Sequence, residues 1–316
     1  MTNRTAPLVT VCIPTRDRSS YLVTAIESVL GQSYPNIELI IADDASTDDT
    51  RAVVESYGPR IQYICNPVRL GMAGNWQAAL RAGRGKYVGF LNDDDFYGPD
   101  MIRSLVEPLE RHSHVGLSFC DHFVTDAEGR ILPQETDRLS RATGRSHLPE
   151  GIVKDPLLLA VRFNAFPIIG TLFRYEGIRR TGYIDISIDN APDLDLFYRI
   201  TSAYSAFYTP KKLAYFRLHE AQSTTGPGSA NRTLGNLESV VRALSKIQSS
   251  NRKVRRARQV QLANIYSQIA LAMAQRGRDP RTAIVQALAF GVFHPRCMRK
   301  LLRAQIVWMS QRVPAP

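Results

Sequence analysis

Through the first third of the chain, short apolar runs alternate with stretches whose apolar residues recur every three or four positions. The run from Leu8 to Ile13, closed by Pro14, reads as a strand. Tyr21, Leu22, Ala25, Ile26, Val29 and Leu30 repeat at helical spacing before Gly31, and Ile37 to Ala42 is a second apolar run, so the three segments make one βαβ unit. Ser46 or Thr47 is placed to cap a helix over 48–57; residues 61–65, 87–91 and 116–120 read as strands, and 75–82 and 100–111 as helices. Such alternation predicts an α/β fold with a mostly parallel, doubly wound sheet. Beyond residue 130 the rhythm weakens.

A Gly-, Pro- and Ser-rich break, TTGPGSAN at 224–231, marks a boundary and divides the chain into 1–228 and 229–316. Helical patterns follow over 234–247, 260–274 and 282–292, which predicts a C-terminal helical extension. Charge sharpens this division. Of the 40 lysines and arginines, 16 lie in 229–316 against only Glu238 and Asp279, so the net charge of +11 becomes +14 for the tail and −3 for the rest. The two regions are expected to meet different partners.

No stretch reaches the roughly 18 apolar residues needed to span a membrane, and the first thirty residues lack a secretory signal pattern. Cys12, Cys65, Cys120 and Cys297 form no CxxC pair, and three of them sit in apolar strand runs. They read as reduced core thiols of a cytoplasmic protein.

Ligands of open α/β sheets bind at the carboxyl ends of the strands. Here those positions are acidic: PTRDR (14–18) follows the first strand, DDASTDD (43–49) the second and NDDD (92–95) the fourth. A triplet of aspartates suits Mg²⁺ or Mn²⁺, which take carboxylate oxygens together with substrate phosphates. Strand alternation places Asp93 and Asp95 on one face and turns Asp94 elsewhere. Taken alone, the triplet fits a solvated turn as well.

The string VTVCIPTRDRSSYLVTAIESVLGQSYPNIELIIADDASTDDT resembles the opening of the family 2 glycosyltransferases, whose nucleotide-sugar domain has the GT-A fold. The resemblance continues through NPVRLGMAGNWQAALRAGRGKYVGFLNDDDFYGPD and covers residues 8–220, leaving the basic tail outside. It implies that Pro14, Thr15 and Asp17 line a nucleotide pocket and that Asp44 accepts a hydrogen bond from the base, typically uracil N3–H. It also implies that Asp93 contacts ribose or metal, and that Asp95 coordinates the Mn²⁺ or Mg²⁺ bridging the donor diphosphate. Asn92 stands where the family often has another aspartate.

NAPDLDLFYRI (190–200) is similar to a family segment in which an aspartate at a helix start acts as general base. That residue is Asp193, with Asp195 structural and Pro192 in place of the usual glutamate. Inverting transfer needs such a carboxylate to deprotonate the acceptor hydroxyl opposite the leaving diphosphate. The same position also suits an acid favoured only by the helix dipole. FRLHEAQST (216–224) looks like the element whose arginine and histidine close over the donor phosphates, which makes His219 a metal ligand or a countercharge. Trp76 reads as a packing residue.

The implied protein is an inverting, metal-dependent transferase that takes a nucleotide-sugar, UDP-sugars favoured, to a glycan or lipid-linked acceptor in surface polysaccharide biosynthesis. Two other classes stay open: a nucleotidyltransferase, although PTRDR has no glycine, and a nucleotide-sugar-binding protein that has lost catalysis. The basic segment 250–312 fits peripheral contact with the inner face of a membrane, and equally a helical appendage or a homodimer contact. No nucleic acid is expected, since the tail has no recognition signature.

Overall fold

Alternation along the first strand sets the layers. In β1 (Val9–Thr15), Val9, Val11 and Ile13 enter one buried cluster with Leu22, Ala25, Ile26 and Val29 of α1 (Ser19–Leu30). Thr10 turns to the other face, where its hydroxyl donates to Glu38 at 2.7 Å and accepts the Gly85 N–H at 2.9 Å. The end of α3 (Gly71–Ala82) packs on that side. Helices on both faces leave the strands buried on both, which is why they read as unbroken apolar runs.

The computed structural model describes residues 6–220, 229–290 and 295–311. Two compact units divide the chain, Met1–His219 and Glu220–Pro316, and most of the TTGPGSAN break lies outside the described residues.

In the first unit, β2 (Ile37–Asp43), α2 (Thr50–Glu55), β3 (Gln62–Cys65), α3, β4 (Tyr87–Phe90), β5 (Phe96–Tyr97) and α4 (Met101–Arg111) follow α1. Then come β6 (Val115–Thr125), α5 (Pro133–Ala142), β7 (Gly151–Val153), α6 (Pro156–Phe163), β8 (Thr171–Arg174), α7 (Tyr175–Thr181), α8 (Pro192–Ala203) and β9 (Ser205–Arg217). The sheet order is β3-β2-β1-β4-β8-β6-β9-β5, with β7 on β9. The pairings make β1, β2, β3, β4, β6 and β9 run one way, with β5, β7 and β8 opposed. The carboxyl ends of β1, β2, β4, β6 and β9 therefore share one edge, and all the acidic loops open there.

Several local expectations are corrected. The helix expected over 48–57 begins at Thr50, where the Asp48 carboxylate accepts the Thr50 N–H at 3.1 Å, so neither Ser46 nor Thr47 caps it. Their polar groups turn instead to Asp17 of the neighbouring loop. Cys65 ends the edge strand β3 and is exposed, while Cys12, Cys120 and Cys297 are buried, all four as free thiols.

In the second unit, α10 (Arg252–Gln275) is the spine against which α9 (Ser229–Ser245), α11 (Arg281–Ala289) and α12 (Pro295–Ser310) pack. Its core joins Ile269, Ala270, Ala274, Ala283, Ala287, Leu301, Ala304 and Trp308, the alanines allowing close helix approach. Among the described residues, no helix is long and apolar enough to cross a membrane.

Candidate active site

The loops after β1 and β4 meet through side chains. The Thr15 hydroxyl donates to Asp93 Oδ2 at 2.8 Å, and Arg18 reaches Asp93 Oδ1 at 3.2 Å and also binds Asp94 Oδ2. His219, two residues beyond β9, brings Nε2 to 3.1 Å from that same Asp94 oxygen. Tyr21 of α1 lies against the His219 ring, centroid to centroid 4.4 Å, and the Arg217 guanidinium sits over Tyr21 at 5.2 Å. Two carboxylates, an imidazole and two guanidinium groups thus gather at the carboxyl edge of the sheet.

Asp94, expected to turn away from this group, is at its centre, and Asp95 is not. One Asp95 oxygen accepts the Arg217 N–H at 2.8 Å and the other the Asn92 amide at 2.8 Å, with only 1% of the residue exposed. The cause is β5, which pairs antiparallel with β9 through Phe96–Tyr215 and folds the triplet back as a turn. The period-two rule for extended chain does not apply inside that turn. Asp95 ties the acidic loop to β9.

Burial, and then the charge of Asp94, push the Asp93 carboxyl up to about 7, against the opposing pull of Arg18 and the Thr15 hydroxyl. Burial and Asp94 likewise hold Asp95 well above the usual carboxylate range. The edge is poised for positive charge. Among the described residues no three His, Cys, Asp or Glu side chains converge as a complete metal cage. Asp94 and His219 supply an oxygen and a nitrogen that fit Mn²⁺ or Mg²⁺, ions that complete their shells with phosphate oxygens and water. The His219 Nδ1 is buried without a hydrogen-bond partner.

The other expected pocket residues line the same edge. Pro14 is half-buried at the end of β1. Asp17 adopts φ 50° and its carboxylate accepts the Thr47 N–H at 2.8 Å, which locks the first two acidic loops together. Asp44, 4% exposed, accepts the N–H groups of Leu70 at 2.6 Å and Gly71 at 3.1 Å at the start of α3. Trp76 stacks on Phe90 at 4.5 Å as a core residue.

Asp193 lies in the first turn of α8, and Pro192, at a position needing no N–H, begins that helix without strain. Asp193 is half-buried; desolvation raises its pKa, opposed by the N–H groups of its own turn. Asp195 forms an ion pair at 2.8 Å with Arg199, whose guanidinium also binds the carbonyls of Thr181, Gly182 and Tyr183. Just ahead of α8, Asp189 accepts the Ala73 N–H at 2.9 Å and so ties this loop to the α3 terminus that also holds Asp44. Arg18, Tyr21 and Asp189 were not legible as site residues; only the basic charge of Arg18 beside three acidic loops pointed to it.

Residues 10–164 match the model for glycosyl transferase family 2. The putative teichuronic acid biosynthesis glycosyltransferase TuaG of Bacillus subtilis is 30% identical over 217 residues, 67% of this chain and 79% of that protein. The chain belongs to glycosyltransferase family 2. An uncharacterized glycosyltransferase of Rickettsia prowazekii, RP339, is 28% identical over 69% of this chain, which spans 66% of that relative's length. Two solved structures share the architecture of this glycosyltransferase, which is the GT-A fold. S. aureus TarS 1–349 in complex with UDP superposes with a TM-score of 0.62 at 15% identity, covering 96% of this chain and 91% of that one. The mannosyltransferase PcManGT of Pyrobaculum calidifontis, in complex with GDP-Man and Mn²⁺, gives 0.60 at 18% identity over 98% and 89%.

Proposed function

We propose that this chain transfers a sugar, with inversion, from a nucleoside-diphosphate donor to a hydroxyl of a glycan or lipid-linked acceptor in surface polysaccharide synthesis, with UDP-sugars favoured. The observation that carries the reading is the convergence of Asp93, Asp94, Arg18 and His219 at the carboxyl edge of the sheet. A diphosphate arriving there meets an arginine and a pair of metal-ligating atoms. UDP in the TarS complex, GDP-Man with Mn²⁺ in PcManGT and the teichuronic acid assignment in TuaG's name support the same class of donor and product.

Asp94 and His219 would hold the divalent cation, with Asp93 beside them, and the bound cation would offset the charge of the diphosphate. Pro14, Thr15 and Asp17 form the wall of the nucleotide pocket. Asp44 keeps lone pairs beyond the two it gives to Leu70 and Gly71, so it still accepts a base N–H. Asp193 takes the proton of the acceptor hydroxyl as that oxygen bonds to the anomeric carbon and the bond to the diphosphate breaks. Its raised pKa makes it a stronger base than an exposed aspartate.

Calorimetric titration with UDP, GDP, CDP and dTDP, with and without Mn²⁺, tests this on the wild-type chain and on Asp94→Ala. Metal-dependent binding of one diphosphate, lost in the variant, is expected. Absence of binding by all four would sink the reading.

A further inference from the structure

The second unit carries a surface for which the transfer reaction has no use. α12 buries Cys297, Leu301, Ala304 and Trp308, which recur every three or four residues. A second apolar stripe has the same spacing on another face of that helix and stays in water: Met298 is 38% exposed, Leu302 63%, Ile306 58% and Met309 55%. At roughly 100° per residue, Arg299, Arg303 and Arg296 line one edge of this stripe. α12 contains no acidic residue. In 229–316 the two acids face 16 basic residues, and one of the two, Asp279, is paired with Arg281.

We propose that α12 lies in the plane of an anionic lipid surface, with Met298, Leu302, Ile306 and Met309 sunk between the headgroups and Arg299 and Arg303 on lipid phosphates. A helix with an apolar face and a basic rim has the pattern of an interfacial anchor, and basic residues near an anionic leaflet add electrostatic attraction. Charge selects this occupant over the alternatives. A second copy laid on the stripe would bring two arginine rims of like sign together, and a nucleic acid would satisfy the arginines while leaving the apolar row wet. The helix is too polar to span, in keeping with the absence of a membrane-crossing helix among the described residues. This inference is independent of the donor and acceptor proposed above.

Co-sedimentation of the full chain with vesicles tests it, using phosphatidylcholine alone and an equimolar mixture with phosphatidylglycerol. Binding to the mixed vesicles only is expected. Leu302→Glu with Ile306→Glu should lower partitioning about tenfold or more, with circular dichroism and melting temperature unchanged because both side chains are exposed. Arg299→Gln with Arg303→Gln should weaken binding and flatten its dependence on salt. No binding to mixed vesicles, equal binding to both, or unchanged binding by the Leu302/Ile306 variant each overturns the proposal. So does a wild-type dimer, seen by sedimentation velocity, that the same variant dissociates without any change in vesicle binding.

Discussion

Asp94 Oδ2 and His219 Nε2 stand 3.1 Å apart although 125 residues separate them. The contact exists because β4 and β9 run in one direction and β5 crosses back to pair with β9, which delivers the acidic turn to the segment following Arg217. The three acids of the triplet thereby diverge in what they hold. Asp93 binds Thr15 and Arg18, Asp94 binds Arg18 and His219, and Asp95 closes the joint to β9.

Asp95→Ala should act on stability. It leaves the buried Arg217 N–H and the Asn92 amide without an acceptor, at a cost of about 1–3 kcal/mol. A lowered urea midpoint at an unchanged slope is the expected readout. A variant as stable as wild type, with only metal binding lost, would return Asp95 to the metal site.

The ligand-free protein should lose stability as pH rises through the window set by Asp93. Its folded pKa, about 7, exceeds the ordinary aspartate value near 4. Between the two values the folded state holds the extra proton, so rising pH favours unfolding until Asp93 is fully ionised. In EDTA, the difference in melting temperature between wild type and Asp93→Asn should change across this window and level off above it. A constant difference would contradict the burial argument.

Asp193→Asn should cut turnover by roughly 10²–10⁴-fold, the usual contribution of a general base, while calorimetric binding of the diphosphate persists. In the wild type, activity should rise with pH through an acid limb lying above the ordinary aspartate range, since desolvation raises this group. Retained turnover in the variant would remove Asp193 from the chemistry.

Gly71→Ala should destabilise the protein by about 1–2 kcal/mol through its left-handed backbone. The φ is +80°, and a Cβ there would come within 2.7 Å of Asp189 Oδ1. Because Gly71 also donates to Asp44, diphosphate binding should weaken in parallel. Thermal melts and calorimetry on one preparation separate the two effects.

The acidic loops, the order of β1 to β4 and the helical tail were legible along the chain, because strand and helix periods and the chemistry of strand ends are local properties. Asp44, Asp93, Asp193 and His219 were singled out in their expected roles by the resemblance to the family, not by period or strand-end chemistry. Which carboxylate of NDDD meets His219 was not legible: it depends on β5 pairing with β9, a contact between segments more than a hundred residues apart in sequence. Ser46 and Thr47 suited a helix cap by sequence, yet their polar groups serve Asp17, whose loop only the sheet brings near. Local sequence determined which chemistries reach the carboxyl edge, and tertiary structure decided which side chains meet there, because hydrogen-bond and ion-pair partners are fixed by distances that only the folded chain sets.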